Sequence, residues 1–231
     1  MRHDHDALML FAAGKGTRMG ALTADRPKPL IEVAGRALID HAIDLTEGVP
    51  LSRVVVNLRH LPDQLRAHNF TRDDILFSDE PALLETGGGM RTALPLLGPA
   101  PVYTLNSDEI WTGGNPLARL RAAWDPKRMD ALIMLIPQER ARSHKGRGDF
   151  VIDAEGHLSR GLGPIHSGAQ ILKIELLTAI PEPAFSLNLV WDLMIPRRRL
   201  FGLLHDGDWC DVGHPEGITL AEQMLRESGD V

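Results

Sequence analysis

A single cysteine, Cys210, stands among 231 residues, so no internal disulfide is available and a reducing compartment is expected. Aromatic residues are scarce at 5%, which removes the stacking platforms on which single-stranded nucleic-acid binding depends. Cations are in deficit. The 25 Lys and Arg against 31 Asp and Glu leave a net charge of −6, which offers no overall field to attract nucleic acid or anionic lipid. An anionic ligand must therefore be met by a local cluster of cations and backbone N–H groups. No apolar run approaches the roughly 20 residues that span a bilayer. The N-terminal MRHDHDALMLFAAGKG lacks the long apolar core and cleavage site of a secretory signal, so a cytoplasmic location with no membrane partner is expected. Internal repeats and Ser/Gly linkers are missing as well, which favours one domain over two.

What is present suits a packed α/β protein. Hydrophobic residues at 43% and charged residues at 24% supply a core and exclude general disorder. The run Ala7 to Ala13 is too short for an ordinary helix and stops at a glycine-rich loop, so it is expected to be a buried strand. Strand-length apolar runs recur at Val54 to Leu58, Asp74 to Phe77, Val102 to Asn106 and Ala131 to Ile136. Between them the spacing is helical: Leu38, Ile39, Ala42, Ile43 and Leu45 share one face, and Met90, Ala93, Leu94 and Leu97 another. Strands alternating with helices imply crossover units and a three-layer α/β/α architecture with a mainly parallel central sheet. The second half is less regular. Short strands at DFVID and HLSRG, and another from Gly168 to Ile174, are expected as hairpins beside the main sheet, followed by helices over LNLVWDLMI and from Pro215 to Arg226.

The chemistry is concentrated in a few stretches. Ala12-Ala13-Gly14-Lys15-Gly16-Thr17-Arg18-Met19-Gly20 follows the first strand, where small residues let the backbone approach an anion and successive N–H groups cradle phosphate oxygens. It is neither a dinucleotide fingerprint, which needs Gly where Met19 stands, nor a Walker A loop, which needs Gly at Met9 and Ser or Thr at Gly16. A tight glycine turn without ligand has the same local signature. Ten residues beyond Arg18, Pro27 and Pro29 restrain the backbone around Lys28, which lowers the entropic cost of presenting a lysine to phosphate. Asp108 follows the apolar strand VYTLN, at the carboxyl end where open α/β sheets place their ligands.

In this order, AAGKGTRM and PKPLIEVAG resemble the start of the sugar-1-phosphate nucleotidylyltransferases, also called sugar-nucleotide pyrophosphorylases. The resemblance continues through Glu85-Thr86-Gly87-Gly88-Gly89, Asn106-Ser107-Asp108 and Trp209-Cys210-Asp211-Val212-Gly213. LETGGG together with Gly146-Arg147-Gly148-Asp149-Phe150 is most similar to the short uridylyltransferases that act on N-acetylmuramic acid 1-phosphate in cell-wall recycling; mannose-1-phosphate guanylyltransferases using GTP are the nearest competitors. A non-catalytic sugar-nucleotide sensor on the same fold is a third reading.

The resemblance implies a single Rossmann-like nucleotidyltransferase domain over residues 1–231. Residues 1–140 would serve the nucleoside triphosphate, and residues 141–231 the sugar 1-phosphate. It places Ala13, Gly14, Lys15 and Gly16 around the triphosphate, Arg18 at the pyrophosphate and Lys28 at the α-phosphate. Glu85 and Gly88 border the base. Asp108 and Asp211 hold Mg²⁺, while Asn106, Asp149 and Asn188 face the sugar phosphate. UTP is the expected nucleotide, and the glycine run is expected to read its base through backbone. With only one helix after Asp211, the acyltransferase activity of β-helix-bearing relatives is not expected. Oligomeric state is not legible.

Several residues depart from the family pattern or admit a competing reading. Ser107 stands where the family has Gly, so its side chain either crowds the nucleotide or adds a hydrogen bond. Trp111 and Trp191 either line the sugar site or pack internally. His3 and His5 are expected to be a terminal tail, and Cys210 a packing residue.

Overall fold

The computed structural model describes residues 7–229, so His3 and His5 lie outside the described residues. The chain opens with β1 (Ala7–Phe11), whose first four residues are fully buried. After the glycine loop come two-residue strands β2 (Glu32–Val33) and β3 (Arg36–Ala37), helix α1 (Leu38–Asp44), β4 (Arg53–Leu58), α2 (Pro62–Arg66) and β5 (Ile75–Asp79). Next are α3 (Glu85–Thr92) and α4 (Leu94–Leu97), then β6 (Val102–Asn106), β7 (Glu109–Trp111), α5 (Pro116–Ala123), β8 (Ala131–Ile136) and β9 (Ala141–Arg142). The remainder is β10 (Phe150–Ile152), β11 (Leu158–Arg160), β12 (Ile165–Leu172), α6 (Asn188–Met194), β13 (Leu200–Leu204), β14 (Trp209–Asp211) and α7 (Pro215–Ser228).

Seven strands form the central sheet in the order β13-β8-β12-β6-β1-β4-β5. All neighbours are parallel except β12, which runs antiparallel to both β8 and β6. This is the mainly parallel α/β sheet expected from alternating strands and helices. Two core clusters lie on its faces: one gathers Leu8, Leu10, Val54 and Val56, the other Met9, Val55, Met90 and Val190. Successive residues of β1 and β4 supply opposite clusters, so both faces are buried and an uninterrupted apolar run is required. Because β1 pairs with β4 on one side and β6 on the other, the chain leaves it in two directions, which opens a crevice at the carboxyl ends of these strands.

Four expectations are corrected. The first strand ends at Phe11, leaving Ala12 and Ala13 in the loop. The helix expected through Met90 to Leu97 is divided into α3 and α4, with Pro95 in the first turn of the second. The third correction is larger. The segment around Gly168 is no hairpin beside the sheet but the eight-residue strand β12 inside it. Its buried polar residues disguise it. Ser167 donates to the Met134 carbonyl (2.7 Å), while Gln170 bridges Thr104 Oγ1 (3.1 Å) and Trp191 Nε1 (3.0 Å). With partners inside the core, these polar groups escape the desolvation penalty that would otherwise exclude them. The fourth is the strand β13, an edge of the central sheet where no strand was expected. The hairpin β10-β11 does form where DFVID and HLSRG predict it.

A small sheet, β7-β14-β9, stands apart from the central one. Its pairing carries the two distant carboxylates to one place.

Candidate active site

The glycine loop is closed by its own geometry. Gly16 (φ +63°) begins a 3-10 segment over Thr17–Thr23, and its carbonyl accepts Met19 N–H (2.8 Å) and Thr23 Oγ1–H (3.0 Å). A Cβ on Gly16 would stand 2.9 Å from Lys28 Cβ and 3.0 Å from Thr23 Cγ2, so only glycine lets the loop and the lysine turn pack together. Pro27 and Pro29 bracket Lys28, whose side chain is buried and ion-paired with Asp108. Lys15 and Arg18 remain exposed, and the Arg18 guanidinium lies 3.5 Å from His214 Nε2.

Asp108 and Asp211 are separated by 103 positions (211 − 108). Antiparallel pairing sets Asp211 opposite Glu109 and Cys210 opposite Ile110, and Val212 N–H donates to the Asp108 carbonyl (3.0 Å). The Asp211 carboxyl is held above the usual carboxylate range, first by burial and then by the Asp108 charge, against the opposing pull of Lys28 and Arg18. An ideal Cβ at Gly213 would lie 3.0 Å from Asp211 Oδ1 and 3.1 Å from the Arg18 guanidinium, so that glycine leaves room for both. Asp108 and Asp211 offer hard carboxylate oxygens, the donor chemistry that divalent cations such as Mg²⁺ take.

Two pockets adjoin beside Asp108; Asp211, Arg18, Lys15 and Gly16 line neither of them. One, about 250 Å³, is lined by Ala13, Gly14, Lys28, Glu85, Asn106 and Asp108. The other, about 200 Å³, contains Asn106, Asp149 and Asn188 together with Arg160, His166 and Trp191. Phe11, Thr86 and Asn106 belong to both, so the cavities adjoin. Asn106 donates to Glu109 Oε1 (2.7 Å), Asp149 Oδ2 accepts the His166 N–H (2.8 Å), and Asn188 donates to Ser186 Oγ (3.0 Å).

The glycine run differs from its expected use. Gly87 and Gly88 N–H both donate to the Phe185 carbonyl (2.8 and 3.0 Å), and neither glycine lines the first pocket. A Cβ would strike the Phe185 ring at Gly87 (2.3 Å), the Pro183 carbonyl at Gly88 (2.6 Å) and Glu80 Oε1 at Gly89 (2.3 Å). Close packing on several sides, not base reading by exposed backbone, is therefore what this run of glycines serves. Glu85 does face the pocket, in a left-handed conformation (φ +57°) that side-chain-bearing residues seldom adopt.

Ser107 is buried in the wall of the first pocket, where its hydroxyl and its N–H both donate to the Phe11 carbonyl, at 2.7 and 3.2 Å. Trp111 packs against Trp209 and His205, whereas Trp191 lines the second pocket. Cys210 is buried, and desolvation pushes its thiol up to about 12, which leaves it inert.

Some residues of the site escaped the sequence. Asn57 accepts Ala12 N–H (2.7 Å) and donates to Glu80 Oε1 (2.6 Å), clamping the start of the glycine loop. A polar residue at the carboxyl end of the apolar VVVNL was the available signal. Arg160 and His166 had none, since neither lies in a recognisable motif.

The model of the MobA-like NTP transferase domain matches residues 8–208. The chain belongs to that family. Among relatives of the transferase, the N-acetylmuramate alpha-1-phosphate uridylyltransferase of Caulobacter vibrioides is 38% identical, covering 95% of this chain and 97% of the relative. The protein of the same name from Neisseria meningitidis is 32% identical over 89% and 92%. A crystal structure of UDP-glucose pyrophosphorylase complexed with UDP-glucose superposes with a TM-score of 0.81, covering 96% of the transferase and 99% of that chain, at 14% identity. That likeness establishes the fold. Among the described residues of the transferase, no helix is long and apolar enough to cross a membrane.

Proposed function

We propose that this transferase moves a uridylyl group from UTP to N-acetylmuramic acid α-1-phosphate, releasing pyrophosphate, with Mg²⁺ held by Asp108 and Asp211. The observation that carries the reading is the convergence of Lys28, Asp108 and Asp211 beside a pocket that adjoins a second one at Asn106. Two adjoining cavities suit two substrates, and Lys28 and Asp108 in the wall of the first, with Asp211 beside them, suit a reaction joining two anions. The names of the Caulobacter and Neisseria relatives support the choice of nucleotide and sugar.

The sugar-phosphate oxygen attacks the α-phosphorus in line as the bond to pyrophosphate breaks. That oxygen is already anionic at pH 7, so no side-chain base is required. Catalysis then rests on positioning and charge neutralisation. In this reading the backbone of Ala13, Gly14, Lys15 and Gly16 holds the triphosphate, Arg18 the pyrophosphate and Lys28 the α-phosphate. Glu85 borders the base, and Gly88, within α3, leaves room for the Pro183 carbonyl. Asn106, Asp149 and Asn188 face the sugar phosphate. Bound Mg²⁺ would supply Lewis-acid stabilisation of negative charge on phosphate oxygens. Residues 1–140 carry the nucleotide side and 141–231 the sugar side of one catalytic domain.

Four nucleoside triphosphates against a panel of sugar 1-phosphates, read by pyrophosphate release, test the reading. UTP should exceed GTP by at least about tenfold in kcat/KM, or roughly 1.4 kcal/mol at the transition state. A preference for GTP with mannose 1-phosphate would overturn it, and no turnover with any pair would favour a sensor.

A further inference from the structure

The second pocket contains a cation that the reaction described above does not use. Among the described residues, Arg160, at the end of β11, is the one Lys or Arg lining this cavity. Its Nε–H donates to Asp192 Oδ1 (2.9 Å), and Nη2 reaches the same oxygen (2.8 Å) and the Asn188 carbonyl (3.1 Å). Its guanidinium carbon stands 4.8 Å from the Phe150 ring centre and 5.6 Å from that of Trp191. Both rings lie against the guanidinium, and the Arg160 side chain is 37% exposed. Among the described residues, Nη1 meets no acceptor.

The rest of the cavity offers no competing positive charge. His166 is held neutral at pH 7, because burial pushes its imidazole down to about 4. The acidic side chain in the cavity, Asp149, spends Oδ2 on the His166 N–H. A planar, pre-oriented guanidinium with a free N–H edge is matched chemically to a carboxylate. A neutral sugar would use that edge for a weaker hydrogen bond.

We propose that Arg160 is a specificity-determining residue that binds a carboxylate on the sugar of the acceptor, selecting acidic over neutral sugar 1-phosphates. On the muramate reading, on which this inference rests, the carboxylate is that of the lactyl ether. Asp192 and Asn188 orient the guanidinium, and Phe150 and Trp191 limit its sideways movement.

The test compares N-acetylmuramic acid 1-phosphate with its lactyl methyl ester, using UTP and full-length wild type, Arg160→Met and Arg160→Lys. The ratio of kcat/KM for acid over ester is taken within each preparation, so a loss of folded protein cancels. Wild type should favour the acid by at least about tenfold, the scale of one charge-assisted hydrogen bond. Arg160→Met should use both within about twofold of each other, and Arg160→Lys should fall between. An Arg160→Met variant that keeps the wild-type ratio overturns the role of Arg160 and leaves the muramate reading standing. If wild type turns over neither compound yet uses another sugar 1-phosphate, the muramate reading falls and this inference falls with it.

Discussion

Replacing Ser107 separates an architectural role from a nucleotide contact. Its hydroxyl donates to the Phe11 carbonyl at 2.7 Å in a site where Ser107 is 2% exposed. Phe11 also receives the Ser107 N–H (3.2 Å), so removing the hydroxyl leaves that acceptor satisfied. The cost of Ser107→Ala is then the net value of one hydrogen bond, about 1 kcal/mol. Ser107→Gly adds the backbone freedom of glycine in the unfolded chain, for a total of roughly 1.5–2 kcal/mol. For a chain of this size those losses correspond to a lowering of Tm by about 2–4 °C for Ala and roughly 3–8 °C for Gly. Calorimetry supplies Tm, and pyrophosphate release supplies kcat and KM for UTP. Because the hydroxyl points at Phe11, kcat/KM for UTP should stay within about twofold of wild type below the transition, far less than the loss of a nucleotide hydrogen bond. The reverse pattern, an unchanged Tm with a tenfold or larger change in KM, would refute this reasoning and return Ser107 to the nucleotide.

Asp108→Asn and Asp211→Asn should each lower kcat by roughly a hundredfold or more, the scale of losing one strong electrostatic stabiliser; full activity of both, or activity undiminished in excess chelator, contradicts the paired-carboxylate assignment. Gly87→Ala should destabilise the protein by about 1–3 kcal/mol in urea unfolding through overpacking, because the new Cβ would meet the Phe185 ring at 2.3 Å and the Phe185 carbonyl at 2.9 Å. The sign is diagnostic: without that clash, Gly→Ala inside a helix gains about 1 kcal/mol. The depressed pKa of His166 means that, between the usual 6.5 and about 4, the unfolded chain binds the extra proton. This contribution to stability is complete above pH 6.5 and is lost as pH falls toward 4, with a slope of up to about 1.4 kcal/mol per pH unit. His166→Gln should flatten the dependence of unfolding free energy on pH between 5 and 6, and an unchanged slope would contradict the assignment.

Local chemistry was enough to place β1, the glycine loop and the Lys28 turn. Continuous apolar runs mark strands buried on both faces, and small residues between two prolines and a strand end constrain the backbone wherever they occur. The position of Asp108 after β6 was legible for the same reason. Its meeting with Asp211 was suggested only by family resemblance, because the pairing of β7 with β14 is long-range and leaves no local signature. The glycine run shows the limit most clearly. Three missing side chains look the same in sequence whether they admit a ligand or a neighbouring segment, and tertiary packing assigned the space to Phe185, Pro183 and Glu80. β12 entered the central sheet although its polar residues argued against it, since Thr104 and Trp191 satisfy Gln170 and the Met134 carbonyl satisfies Ser167. Arg160 and His166 reached the second pocket the same way. Sequence sets what each segment prefers over a few residues, whereas burial, polar satisfaction and close approach depend on neighbours that only the folded chain brings together.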